Sequence, residues 1–182
     1  MKIKPRCSWG NSPEIYTEYH DKEWGVPLHD DQRLFEMLNL EGAQAGLSWI
    51  TVLKKRDNYR KAFDHFDAKK IVKYSDAKKE QLMKNEGIIR NRLKINAVIE
   101  NAKAYMVVQK QWGSFDKYIW HFVGNKPMKH AQQKEAIKIS EIMSKQLKKD
   151  GFRFVGATIC FAFMQAVGMI NDHPPTCFKY KK

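Results

Sequence analysis

The chain has 182 residues, 43% of them hydrophobic, which is enough for one core or for two small lobes sharing it. Lys and Arg number 33 against 20 acidic residues, a formal charge of +13 that suits a polyanion such as nucleic acid, although a plain basic soluble protein has the same balance. No run approaches the ~20 apolar residues needed to span a bilayer. With three Cys, and no apolar stretch after the charged start Met1 to Arg6, a reducing cytoplasm is expected rather than a disulfide framework or a membrane partner.

Helical periodicity dominates and period-two alternation is nearly absent, so an all-α globule is expected, a single domain over 1–182 without repeats. Asp30 and Asp31 precede Leu34, Phe35 and Leu38, an N-capped amphipathic helix, and helix is expected to continue through 36–49. Trp49 to Phe63 reads as one further helix, with Trp49, Val52, Leu53, Tyr59 and Phe63 inward. Asp67 and Ser75 cap two shorter helices. From Leu93 to Gln111 the residues Ile95, Val98, Ile99, Ala102 and Met106 keep the 3.6 period, and Ser114 opens a short aromatic helix through Tyr118 and Trp120. The polar stretch 124–134, broken by Pro127, reads as a loop.

Ile139, Ile142, Met143 and Leu147 then mark a helix with a lysine-rich outer face. Gly151-Phe152-Arg153-Phe154-Val155-Gly156 follows, and Ala157 to Val167 is apolar almost all round, which predicts a buried helix with Cys160 as a small core residue. Two helices about a glycine-bracketed turn, over about 136–168, form a helix-hairpin-helix or else an ordinary helical corner, which also favours glycine. The overall charge and Arg153 favour the DNA-binding form. A missing side chain at Gly156 lets N–H groups at a helix start approach a phosphate.

Four metal-ligand side chains lie near the two ends: Cys7 and His20, then His173 and Cys177. Two thiolates and two imidazoles make a tetrahedral zinc set, and four protein ligands make such a site structural. Spacing alone also fits buried cysteines and helix-end histidines that bind nothing.

Four stretches in order carry a resemblance that runs from about residue 5 to 178. They are Tyr19-His20-Asp21-Lys22-Glu23-Trp24-Gly25-Val26-Pro27; Leu40-Glu41-Gly42-Ala43-Gln44-Ala45-Gly46-Leu47-Ser48-Trp49; Gly87-Ile88-Ile89-Arg90; and Gly151 through Asn171-Asp172-His173. The chain resembles bacterial 3-methyladenine DNA glycosylase I, of the helix-hairpin-helix DNA glycosylase superfamily. The resemblance implies an all-α glycosylase fold in which structural Zn2+ on Cys7, His20, His173 and Cys177 joins the terminal segments. It further implies a base pocket in which Glu41 reads the base and Trp49 and Tyr19 stack on it, with Tyr16 and Trp9 nearby. The implied partner is alkylated double-stranded DNA, with free 3-methyladenine as product; for the oligomeric state, which the sequence does not show, a monomer is the default.

DNA contacts are expected from Gly151, Arg153, Val155 and Gly156. Leu47, beside Gly46, either plugs the gap left by a flipped base or packs in the core. Superfamily members that cleave the strand place a Schiff-base Lys two residues after the last hairpin Gly; Thr158 stands there, so no amine attack on the sugar is expected. The superfamily's usual catalytic Asp has one neighbouring counterpart, Asp172, whose role stays open, and the turn lacks the usual Leu-Pro-Gly. Two competing readings remain, a non-enzymatic zinc-stapled DNA-binding module and a zinc hydrolase. The latter needs an open coordination position.

Overall fold

The computed structural model describes residues 5–181, so the first four residues of the charged start and Lys182 of the basic tail lie outside the described residues. The order is α1 (Glu14–Lys22), α2 (Asp31–Gln44), α3 (Trp49–Leu53), α4 (Arg56–Ala62), α5 (Ala68–Ile71), α6 (Asp76–Lys84), α7 (Arg92–Trp112), α8 (Phe115–Trp120), β1 (Met128–Lys129), α9 (Gln133–Lys149), α10 (Ala157–Ala166) and β2 (Ile170–Asn171). Helix α2 is the axis of the molecule. Its residues from Leu34 to Ala43 are all buried, and α3, α7, α8 and α10 pack against it. One apolar cluster joins α2 to Phe63 and Phe66, to Phe115 and Trp120 of α8, and to Phe163 of α10.

Local chemistry sets the helix starts. Asp30 accepts from the Arg33 N–H at 2.8 Å, Asp67 from Lys69 at 2.9 Å, Ser75 from Lys78 at 3.3 Å and Ser114 from Lys117 at 3.1 Å. Each satisfies one donor that a helix start leaves unpaired, a contribution of about 1 kcal/mol. Asp31 reaches further: its carboxylate accepts from the Phe115 and Asp116 N–H groups and so fixes α8 against α2.

Four expectations need correction. Helix does not run through 36–49: α2 ends at Gln44, and a turn with Gly46 at φ +76° separates it from α3. The helix expected over Trp49 to Phe63 is broken at Lys54–Lys55, because neighbouring basic side chains are drawn to different tertiary partners. Lys55 Nζ donates to the Glu86 carbonyl at 2.8 Å, while Arg56 makes a two-bond pair with Glu23 at 2.7 and 2.9 Å. The 124–134 loop contains β1, which pairs in parallel with β2, Met128 opposite Ile170 and Lys129 opposite Asn171. Finally, Ile142 is 60% exposed, α9 burying Ala136, Ser140, Met143, Ser144 and Leu147 instead. Helix α10 buries Cys160, Phe163, Met164 and Ala166 but leaves Thr158 exposed, and its Ala162 and Gln165 face a cleft.

Candidate active site and metal centre

Cys7 lies just before a 3-10 turn (Ser8–Asn11), His20 on α1, and His173 and Cys177 on the segment after β2. All four are buried, and their ligand atoms lie within 4.8 Å of one another. Cys7 Sγ and Cys177 Sγ each stand 3.4 Å from His173 Nδ1, and Cys177 Sγ also stands 3.4 Å from His20 Nε2. Bonds of ~2.3 Å to sulfur and ~2.0–2.1 Å to nitrogen give tetrahedral S···N edges of roughly 3.6 Å, so the spacing fits a metal ion.

The second ring nitrogens are engaged elsewhere. His20 Nδ1 pairs with Asp21 Oδ1 at 2.9 Å and His173 Nε2 with the Trp24 carbonyl at 3.2 Å, which leaves His20 Nε2 and His173 Nδ1 for the ion. Burial, then the facing Cys177, raises the Cys7 thiol, and burial pulls His173 down to about 4. Two thiolates crowded in a buried space call for a cation, whereas a neutral imidazole is already in ligand form. Gly10 is required here: a Cβ would sit 2.8 Å from the His20 ring.

Beside this quartet opens a cleft of about 500 Å³, and Cys7 belongs to both. Glu41, Trp49, Tyr19, Tyr16 and Trp9, the five expected base-contact residues, all line it. Tyr19 and Trp49 have ring centroids 5.6 Å apart, and Trp9 meets Tyr16 edge-on at 5.7 Å. Trp9 also meets His20 edge-on at 5.2 Å, so the candidate metal site backs the aromatic wall.

Glu41 is 3% exposed on the central helix, and among the described residues nothing hydrogen-bonds its carboxyl group. Burial alone pushes it up to about 8. Burial, then the Glu41 charge, raises the Tyr19 phenol well above its ordinary value. Among the described residues Trp49 Nε1 is buried without a partner, a donor whose isolation costs about 1–3 kcal/mol. One buried acidic group therefore stands without a partner beside aromatic faces.

Sequence reasoning did not single out Trp24, Gln44, His130 and Gln165 as cleft residues. Gln165 left a signal, as the one amide in the apolar run of α10. His130 left none, because the pairing of β1 with β2 brings it to the site. Asp172 faces the same cleft with its carboxylate held by His130 Nδ1 at 2.7 Å, Gln133 Nε2 at 2.8 Å and Gln165 Nε2 at 2.7 Å.

The other expected contact residues lie elsewhere. In the turn after α9, Gly151 has φ +95°, Arg153 is exposed, and Val155 is buried with its carbonyl accepting from the Ser144 hydroxyl at 2.7 Å. Gly156 caps α10 with an ordinary φ of −61°, and nothing lies within 4 Å of where its Cβ would be. Leu47 is 42% exposed, outside the core.

Known proteins bear on this geometry directly. The methyladenine glycosylase family model matches residues 9–180. A DNA-3-methyladenine glycosylase of Haemophilus influenzae is 48% identical over 177 residues, 94% of this chain and 96% of the relative. A crystal structure of 3-methyladenine DNA glycosylase I superposes with a TM-score of 0.90 at 47% identity, over 97% of this chain and all of the other. A second, described as a complex with 3-methyladenine, gives 0.89 at 34% identity, over 97% of this chain and 98% of the other. With a match across nearly its whole length, the chain belongs to the methyladenine glycosylase family.

Proposed function

We propose that the protein is a monofunctional DNA glycosylase that hydrolyses the N-glycosidic bond of 3-methyladenine in alkylated duplex DNA and so begins base-excision repair. The observation that carries this reading is the Glu41 carboxyl, buried without a hydrogen-bond partner among the described residues at a cleft walled by Trp9, Tyr16, Tyr19 and Trp49. An adenine ring supplies the complement, amine hydrogens for the carboxylate and a flat face for the rings.

Methylation at N3 makes the base cationic, which weakens its bond to the sugar and makes it a good leaving group. Aromatic faces attract a cationic ring by roughly 0.5–2 kcal/mol, and a hydrogen bond to a charged group is worth about 1.5–3 kcal/mol. Neutral adenine gains less from both. Glu41 and the rings therefore select the departing base and stabilise its separation, and water takes the oxocarbenium-like sugar. Thr158 offers no amine, so the strand stays uncut.

The base reaches the cleft by flipping out of the duplex, at a cost of a few kcal/mol that is smaller for a damaged base. Exposed Leu47 fills the gap, and α9, the turn and α10 serve as a helix-hairpin-helix, with Arg153 and the open surroundings of Gly156 available to phosphate. Cys7, His20, His173 and Cys177 hold structural zinc. With four protein ligands such an ion would have no position for a reacting water and would tie together the two ends of a single domain. The enzyme works as a cytoplasmic monomer.

The test is incubation with methylated DNA and chromatography of the freed bases. Release of 3-methyladenine by the wild type, with a large loss in Glu41→Gln, is expected. A protein that binds DNA and frees no methylated base is a binding module, and the reading is then wrong.

A further inference from the structure

Helix α7 carries two polar side chains, Lys94 and Asn101, each of which grips the backbone of a different loop. They are seven residues apart, two turns and about 10 Å along the axis. Lys94 Nζ donates to the carbonyls of Ala43 at 2.8 Å and Ala45 at 2.7 Å, where the end of α2 leaves acceptors unpaired. The next two residues are Gly46, at φ +76°, and exposed Leu47. Lys94 thus anchors the loop that presents the leucine.

Asn101, 3% exposed, does the same for the turn after α9. Its amide oxygen accepts from the Arg153 N–H at 2.6 Å, and its amide nitrogen donates to the Arg153 carbonyl at 3.2 Å and to Asn39 Oδ1 at 2.9 Å. Asn39 in turn donates to the Phe35 carbonyl within α2. Both main-chain groups of Arg153 are therefore held by one buried side chain. Phe154 follows at φ +54°, a conformation that is uncommon for a bulky residue and held here by its surroundings. Its Cβ lies 3.1 Å from where a Cβ on Gly42 would stand, so the turn lies directly against the residue after Glu41.

We propose that Lys94 and Asn101 are positioning residues that hold the leucine loop and the phosphate-facing turn at a fixed separation on α7, so that a duplex seated on both delivers its base to Glu41. This inference rests on the proposed function, because it takes both loops to contact DNA. A rigid spacing costs the bound state little ordering entropy, so its loss appears in DNA binding before it appears in the pocket.

The experiment compares wild type with Lys94→Met and Asn101→Ala. It measures affinity for a duplex carrying an abasic-site analogue, kcat and KM for base release from methylated DNA, and binding of free 3-methyladenine by tryptophan fluorescence. Each variant is expected to bind the duplex about tenfold more weakly and to raise KM by a similar factor, with free-base affinity within about twofold of wild type. Lys94→Met keeps the aliphatic stem and carries the test alone if Asn101→Ala fails to fold. Unchanged duplex affinity in a folded variant overturns the proposal, and so does an equal loss of free-base binding, which would mean that the residues merely hold the pocket together. A wild type that frees no base refutes the functional reading and this inference with it; an active wild type with unimpaired variants refutes this inference alone.

Discussion

Replacing Glu41 with Gln should make the protein more stable and less active, and both magnitudes follow from the site. Gln has the same shape and keeps a carbonyl acceptor, so the change removes chiefly the ability to ionise. The buried carboxyl stands at about 8 against an ordinary 4.5. Between those values the unfolded chain has released its proton and the folded chain has not, so wild-type stability falls as pH rises from about 4.5 to 8. At 1.36 kcal/mol per unit, the penalty is about 0.7 kcal/mol at pH 5 and about 3 kcal/mol at pH 7. The variant lacks it. Urea denaturation of both proteins at the two pH values should show an advantage for Glu41→Gln that grows by about 2–3 kcal/mol from pH 5 to 7. In the same variant, assayed at pH 8 or above, where wild type has no proton to expel, loss of a charged hydrogen bond worth about 1.5–3 kcal/mol lowers kcat/KM for base release by roughly 10–100-fold. The reasoning is refuted if the variant is less stable at pH 7 than wild type, or if its kcat/KM is unchanged.

Three further outcomes are expected. Cys177→Ser should lose its metal by elemental analysis and melt about 10–20 °C lower, since loss of a structural ion is among the few changes worth 4–5 kcal/mol or more; normal metal content would contradict the assigned ligand set. Trp49→Phe removes the partnerless N–H and shrinks the ring face that lines the cleft, and should leave stability within about 1 kcal/mol of wild type while weakening free 3-methyladenine about fivefold. Borohydride added during base release should trap no protein–DNA adduct, because Thr158 offers no amine; a trapped adduct would refute monofunctional chemistry.

Features written in local chemistry were legible before the structure, and those made by distant partners were not. Asp30, Asp67, Ser75 and Ser114 each bond an N–H two or three residues on, so the caps could be read directly. The break at Lys54–Lys55 depends on Glu23 and Glu86, both about thirty residues away, and nothing in the basic triplet announces it. The β1–β2 ladder joins segments on either side of the α9–α10 pair, and two-residue strands are too short to show a period. The Cys/His quartet was visible as a set of residue types, but its spacing along the chain could not show that the four meet; the fold brings their ligand atoms within 4.8 Å of one another. Asn101 was readable in principle, as an amide beside Ile99 and Ala102 on the inward face of a long amphipathic helix.

Helix α2 carries three buried polar side chains, and how they are satisfied bears on the proposed choice of base. Glu36 pairs with Arg60 at 2.7 Å and Asn39 with Asn101 at 2.9 Å, so both are complete within the protein. Glu41 is left to be completed by what enters the cleft. With the site empty at pH 7, burial favours its protonated form, because a charge there has no partner. An N3-methylated base in DNA carries a fixed positive charge and favours the carboxylate, so its entry must expel the proton. Below pH 8 that expulsion opposes binding by 1.36 kcal/mol per pH unit. Hence kcat/KM for 3-methyladenine release should climb with pH between 6 and 8, approaching tenfold per unit at the lower end, and flatten above about 8. The phenol of Tyr19 beside it stays protonated throughout, since its value lies well above 10. In Glu41→Gln the climb should vanish. A wild-type profile that is flat from pH 6 to 8, or a slope that survives the substitution, would show that some other group reads the charge of the base.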